Sequence, residues 1–178
     1  MAAISFRNSV ALYDNEAKQA REKEYLRIIN SYDKASQKIF PQILGELVLA
    51  MSERPQDICG RLFMDMDLGD SWKGQFFTPD NIADMMGKIL WGNELIGKVN
   101  GSEFVTIAEP AVGSGVMMIA LYNAILDAGG NPQQSMHVTA TDIDIVAVYM
   151  AYVQFTLLNI PADQPRFFIP SKKLVAEI

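Results

Sequence analysis

The feature that most constrains the fold is a glycine-containing turn between an apolar run and a helical pattern. Residues 104–108 are typical of a buried strand, and Gly113 and Gly115 lack a Cβ, so the backbone can bend sharply after the strand. A second β-branched run, residues 137–141, leads directly into the acid Asp142. This order of strand, turn, helix and strand predicts a parallel α/β sheet with a ligand site at the carboxyl ends of its two strands.

Helical patterns fill the chain before this unit and alternate with strand patterns inside it. Apolar residues at helical spacing predict helices before residue 70, and Pro79 suits the first turn of a further helix after a Thr78 cap. We therefore expect an all-helical region over residues 1–70 and an α/β domain over residues 71–178. Predicted helices cover about residues 13–30, 39–51, 55–66, 79–96, 114–128 and 144–158, and a third short strand covers residues 167–169.

Composition and charge exclude several classes of protein. No apolar run approaches the roughly 20 residues of a membrane span, the start lacks a signal-peptide pattern, and the single cysteine, Cys59, cannot form a disulfide within the chain. A net charge of −6 argues against tight, independent DNA binding through phosphate neutralisation. The basic residues before residue 40 are offset by acids and indicate a solvated helical face. We expect a cytoplasmic protein that binds no membrane and no metal ion, and DNA only weakly or through a partner.

Acidic residues at both strand ends favour a ligand-binding turn over a purely structural one. Glu109 can accept a hydrogen bond from an ammonium group, Asp142 can accept both hydroxyls of a ribose, and the helix predicted near Ser114 directs N–H groups at a carboxylate. A nicotinamide site fits less well. It requires a third glycine where Met118 stands and an acid about 20 residues beyond the turn, whereas Asp142 lies 27 residues beyond Gly115.

Three segments resemble, in order, the motifs of the N6-adenine DNA methyltransferases, particularly the modification subunits of type I restriction systems. Residues 109–115 (EPAVGSG) resemble motif I, and residues 140–144 (ATDID) resemble motif II. Upstream, residues 74–79 (GQFFTP) resemble the motif X that precedes motif I in this group. The resemblance covers about residues 55–162. It implies a partial Rossmann-like sheet of the S-adenosylmethionine (SAM)-dependent methyltransferase type, with about three parallel strands.

The resemblance also implies SAM as the cofactor and gives roles to residues of the three motifs. Thr78 would bind the methionine carboxylate, Glu109 would face the amino group, and Asp142 would hold the ribose hydroxyls. Ile143 would pack on the adenine ring, whereas Asp144 is better explained as a charge at the N-terminus of the next helix. The implied cofactor-binding residues are Phe77, Thr78, Pro79, Glu109, Pro110, Gly113, Ser114, Gly115, Asp142 and Ile143.

The chain departs from this family on the side of the base. Members methylate adenine with an Asn- or Asp-Pro-Pro-Tyr/Phe motif after the fourth strand, whose polar groups hold the amine and whose ring stacks on the flipped base. No two prolines are adjacent in the 178 residues. Residues 159–162 (NIPA) come too early and offer no aromatic ring, so they are rejected as a substitute. We therefore expect a chain truncated before this motif, without a catalytic residue of its own.

An incomplete sheet predicts a partner. Strand 104–108, normally central, would carry an exposed apolar edge, and such edges favour aggregation unless they are covered. We expect the N-terminal helices, a second copy in a homodimer or a partner chain to cover it. The expected function is a SAM-binding domain of the DNA adenine-N6 methyltransferase type that needs a partner for base binding and catalysis. The alternatives are a non-catalytic SAM-binding or decoy protein that regulates a restriction–modification complex, and a truncated product whose other half lies elsewhere.

Overall fold

The chain divides into two compact units, Met1–Glu53 and Arg54–Ile178. The structure is a computed structural model, and it describes residues 1–11, 16–66, 68, 78–90, 105–163, 166–168 and 175–176. The predicted boundary between residues 70 and 71 lies outside the described residues.

The first unit consists of helices in its described part, as predicted. Helix α1 spans Ala2–Val10, α2 spans Glu16–Ile29 and α3 spans Lys34–Glu53. Asp33 caps α3, because its carboxylate accepts hydrogen bonds from the backbone N–H groups of Ala35 at 2.8 Å and Ser36 at 3.0 Å. The sequence patterns do not predict α1, whose apolar residues are interrupted by Ser5, Arg7 and Asn8.

The second unit alternates helices and strands, as the patterns predict. The predicted helix over 79–96 is confirmed over Asp80–Leu90, and residues 91–96 lie outside the described residues. None of the described helices in the chain has the length and apolar character that crossing a bilayer requires. The elements of this unit are α4 (Ile58–Asp65), α5 (Asp80–Leu90), β1 (Val105–Glu109), α6 (Val116–Asp127), α7 (Pro132–Ser135), β2 (Met136–Asp142), α8 (Ile145–Leu158), β3 (Arg166–Phe168) and β4 (Val175–Ala176).

The sheet is built on a parallel pair of strands. Strands β1 and β2 run in register from Val105 opposite Met136 to Glu109 opposite Ala140. Strand β3 joins β2 in parallel at two positions, and β4 lies antiparallel to β3. The predicted parallel α/β arrangement is confirmed for β1 and β2. Because β3 contributes so short a pairing, the full three-stranded methyltransferase-type sheet is not established.

Helices α6 and α8 supply most of the buried apolar side chains of the second unit. Ile119 and Ile125 of α6 and Val148 of α8 are 2% exposed or less. Helix α5 packs against α6, and the two helices approach so closely that a Cβ on Gly87 would lie 3.0 Å from the backbone of Ala120. This close contact favours a glycine at position 87 and packs the helix that follows Thr78 against the helix that follows the turn.

Ile125 and its neighbour Leu126 test the position of this core. Ile125 is fully buried and Leu126 is 43% exposed. Ile125→Ala should lower the free energy of unfolding by about 2–5 kcal/mol because it leaves a cavity, whereas Leu126→Ala should cost at most about 1 kcal/mol. Urea unfolding followed by circular dichroism measures both. Equal losses for the two variants would show that α6 turns a different face to the core.

Candidate functional site

The strand register places two acidic residues on one face of the sheet, at its carboxyl edge. Glu109 ends β1 opposite Ala140, and Asp142 follows Ala140 by two residues on β2. Side chains two residues apart in a strand point to the same face, and neighbours in register do so too. Glu109 and Asp142 therefore share a face at the edge where ligands of parallel α/β sheets bind.

The Asp142 carboxylate joins the two loops that follow the strands. Its Oδ2 accepts a hydrogen bond from the backbone N–H of Gly113 at 2.8 Å, and its Oδ1 accepts one from the N–H of Asp144 at 2.9 Å. Each carboxylate oxygen has two acceptor positions, so in the described part of the chain each keeps one for a further donor. The carboxylate can thus orient both loops and still accept hydrogen bonds from a ligand.

The turn after β1 is fastened to the end of β2 by its backbone. The Val112 N–H donates to the carbonyl of Thr141 at 2.9 Å, and the Thr141 hydroxyl donates to the carbonyl of Pro110 at 3.2 Å. The Glu109 side chain also fastens the turn, because its Oε1 accepts a hydrogen bond from the backbone N–H of Ala111 at 3.0 Å. These contacts hold a turn whose glycines would otherwise leave it mobile.

The helix after the turn begins later than predicted. The sequence predicts a start near Ser114, but α6 begins at Val116, with Gly115 as the N-cap residue at φ 103°. Gly113 also has positive φ, at 56°. Because left-handed backbone is incompatible with continuation of a right-handed helix, the two glycines keep residues 113–115 in the turn.

Ser114 turns its hydroxyl away from the strand edge and into the core. The side chain is fully buried, and its Oγ donates to Oδ2 of Asp57. The Ser114 carbonyl accepts from Nε2 of Gln154 at 2.8 Å. Ser114 is therefore enclosed as a whole residue, and it can serve a cofactor only by holding the turn. Asp57 and Gln154 were not predicted; the position of Asp57 ahead of a helical pattern is a cap signal, whereas no sequence signal marks Gln154.

A cavity of about 340 Å³ surrounds the two predicted methionine-end residues that the structure describes. Thr78 and Pro79 line it together with Asp57, Gly60, Arg61, Met64, Asp65 and Asp80. A neighbouring cavity of about 300 Å³ shares Asp57, Arg61 and Asp80. Among the described residues, the linings of these two cavities include neither Glu109 nor Asp142. The candidate site therefore has two separate parts in the structure: the cavity with Thr78, and the sheet edge with Glu109 and Asp142.

Burial alters the acid–base properties of two groups beside these cavities. Partial burial raises the pKa of Asp80, and the carboxylates of Asp57 and Asp84 act in the same direction, against the nearby Arg61 guanidinium. Arg61 Nε lies 3.6 Å from Asp80 Oδ2. Burial, assisted by the charge of Asp57, raises the pKa of the Cys59 thiol to about 12. Cys59 therefore stays a thiol at neutral pH and is a poor nucleophile.

The remaining predicted site residues are exposed or lie outside the described part. Ile143 is 63% exposed beside Asp142, as a surface that packs on a ring requires. Pro110 is exposed, and Phe77 lies outside the described residues. Asp144 is confirmed as a helix-terminal residue, because its carboxylate caps α8 by accepting from the Val146 N–H at 2.8 Å. In the described part of the chain, no three His, Cys, Asp or Glu side chains are grouped so that they could hold a metal ion.

Comparison with known proteins gives a family and a structural likeness. The family model described as N-6 DNA Methylase matches residues 67–170, more than half of the chain. A crystal structure from Listeria monocytogenes, described as a class I SAM-dependent methyltransferase, is similar with 18% identity and a TM-score of 0.41. The likeness covers 64% of this chain and 34% of that chain, so this chain spans about a third of that protein. No curated protein sequence matches.

Alanine substitutions at two glycines with left-handed backbone, Gly115 in the turn and Gly129 after α6, distinguish the cost of backbone strain from the cost of a steric clash. A Cβ on Gly115 would lie 2.6 Å from Cε1 of Phe155, whereas a Cβ on Gly129, at φ 78°, would have no neighbour within 4 Å. Gly115→Ala should lower the free energy of unfolding by about 2–5 kcal/mol, and Gly129→Ala by about 1–2 kcal/mol. Thermal and urea unfolding measure the difference. A Gly115→Ala variant as stable as Gly129→Ala would contradict the packing of Phe155 against the turn.

Proposed function

The chain belongs to the N-6 DNA methylase family, and from this premise we propose that its α/β unit binds SAM for methyl transfer to the N6 amine of adenine in DNA. The observation that carries the proposal is the position of the Asp142 carboxylate. It lies at the carboxyl end of β2, on the same face as Glu109, and holds the turn after β1 through the Gly113 N–H. A nucleoside ligand at this edge would meet an acid from each strand.

The ribose hydroxyls, the ammonium group and the adenine ring of SAM each have a counterpart of suitable chemistry. The two unused acceptor positions of the Asp142 carboxylate suit the two ribose hydroxyls. Glu109 Oε1 already accepts from Ala111, and Oε2 makes no hydrogen bond within the described residues, so it is available to the ammonium group. Ile143 offers an exposed apolar side chain to the adenine ring. Thr78 and Pro79, with Phe77 before them, would receive the methionine end.

Base binding and catalysis are proposed to require a partner. Transfer to adenine needs groups that accept hydrogen bonds from the amine and a ring that stacks on the extruded base. The 178 residues contain no adjacent prolines of the kind found in the family's base-binding motif. The net charge of −6 also disfavours DNA binding by this chain alone. A partner polypeptide would supply both the motif and the DNA contacts.

Calorimetry with SAM tests the cofactor site. The unaltered chain should bind, and Asp142→Asn and Glu109→Gln should each raise the Kd about 10- to 100-fold, because each removes a charged acceptor. Asp127→Asn, an exposed acid at the end of α6, is the matched control and should leave the Kd unchanged.

Two outcomes would contradict the proposal at different points. Absence of SAM binding by the unaltered chain would refute the cofactor assignment. Transfer of labelled methyl groups to adenine-containing DNA by the purified chain would refute the need for a partner, while leaving the cofactor site intact.

The free edge of β1 is the proposed contact for that partner or for a second copy. Within the described residues β1 pairs only with β2, and Thr106 and Ala108 are exposed on one face of the strand. An uncovered edge of this kind associates readily with another strand. Hydrogen exchange and sedimentation velocity together test this. We expect an assembly larger than the monomer, with β1 amides that are slow to exchange; a monomer at every concentration, with β1 amides exchanging on one edge at unprotected rates, would contradict it.

The second candidate function is a SAM-binding regulator or decoy that acts on a restriction–modification complex. The chain has 21 acidic and 15 basic side chains. This acidic balance favours the second candidate, because an acidic surface suits contact with protein better than contact with DNA. Methyl transfer to DNA, measured after a second chain that carries the proline motif is added, distinguishes the two candidates. Transfer should appear if this protein is half of an enzyme, and it should not appear if this protein is a regulator.

A further inference from the structure

Three polar side chains from three separate elements meet in the core behind the turn. Asp57 is 3% exposed, and Ser114 and Gln154 are fully buried. Asp57 caps α4, Ser114 lies between the two left-handed glycines, and Gln154 belongs to α8. Buried polar groups are costly unless they are hydrogen-bonded, so a cluster of this kind must be fully partnered to be stable.

The Asp57 carboxylate is the centre of the cluster. Its Oδ1 accepts from the Gly60 N–H at 2.8 Å and from Nε2 of Gln154 at 2.8 Å, and its Oδ2 accepts from the Ser114 hydroxyl. The same Nε2 also donates to the Ser114 carbonyl at 2.8 Å, while Oε1 of Gln154 accepts from the Cys59 N–H at 3.1 Å. Ser114 is thus held by both its side chain and its backbone.

Gly60 provides the space that this arrangement needs. A Cβ at position 60 would overlap both the Asp57 carboxylate and the Ser114 hydroxyl. The first turn of α4 therefore approaches the turn after β1 at a distance that only a glycine permits. The contact between α4 and the turn is direct.

We infer that Asp57 and Gln154 are positioning residues for the turn after β1, and that they fix the backbone of Ser114 so that the turn is held in the conformation that SAM would contact. The inference rests on the proposed function. The turn is then held on two sides, by Asp142 at the sheet edge and by Asp57 with Gln154 in the core. Fixing a loop in its bound conformation before the ligand arrives lowers the entropy lost on binding.

The cluster also connects the two separate parts of the candidate site. Asp57 and Gly60 line the cavity that contains Thr78 and Pro79. The same Asp57 carboxylate holds Ser114 in the turn that Asp142 holds from the other side. A change at Asp57 would therefore alter the alignment of the predicted methionine end with the predicted nucleoside end.

SAM binding by variants of this cluster tests the inference. Asp57→Ala and Ser114→Ala should each raise the Kd about tenfold, the value expected when one buried hydrogen-bonded link is lost. The double variant should bind no more weakly than the weaker single variant, because both substitutions break the same link. Asp57→Asn should stay within about threefold of the unaltered Kd, since its amide can donate to the Ser114 hydroxyl while its oxygen keeps the other two contacts.

The first unit provides a matched control. Asp33 caps α3 and also accepts a hydrogen bond from a serine hydroxyl, that of Ser36, at 2.7 Å. Asp33→Ala and Ser36→Ala should lower the free energy of unfolding without changing the Kd for SAM. Thermal unfolding curves establish a temperature at which each variant is folded, and calorimetry is done there.

The outcomes separate this inference from the proposed function. If the unaltered chain binds SAM and both Asp57→Ala and Ser114→Ala bind equally well while folded, the inference is overturned and the proposed function stands. If Asp57→Ala fails to fold, Ser114→Ala alone decides, because it keeps the α4 cap. If the unaltered chain does not bind SAM, the proposed function is refuted and the positioning role is refuted with it.

Discussion

The hydrogen bond between the Asp142 carboxylate and the Gly113 N–H is the contact on which the candidate site depends. A turn that contains two glycines has many accessible conformations, and ordering it costs more entropy than ordering other residues would. That cost is offset because Asp142 and the Thr141 carbonyl, both at the end of β2, hold Gly113 and Val112 at 2.8 and 2.9 Å. The register of β1 against β2 therefore determines where the N–H groups of the turn point.

A second constraint comes from the buried charge of Asp57. A carboxylate removed from water is stable only where donors replace the lost water, and here three donors do so, from Gly60, Ser114 and Gln154. Each donor lies on a different part of the chain, so the charge can be satisfied only when α4, the turn and α8 come together. The same group that caps a helix thus makes the docking of three segments interdependent.

The elements nearest the site could be predicted from the sequence because their signals are local. An apolar run predicts β1 and a β-branched run predicts β2, and Asp144 is predicted as a charge at the N-terminus of the next helix. The predicted start of α6 is wrong by two residues, because Gly115 has left-handed backbone at φ 103°, which keeps it outside the helix. Gln154 carries no local signal at all. Its partners Asp57 and Ser114 lie 97 and 40 residues away, and only tertiary packing brings them together.

The orientation of a strand added beside β1 decides what it could contribute to the reaction. Parallel strands bring their carboxyl ends to one edge of a sheet, where Glu109 already lies. A parallel partner strand would end beside the turn and could place its own polar groups near the cofactor, whereas an antiparallel strand would bring its amino end there. Catalysis requires groups aimed at the charge that develops on the amine in the transition state. If the proposed partner contributes groups from the carboxyl end of its strand, that strand has to pair with β1 in parallel, while a regulator that only covers the edge can pair in either direction.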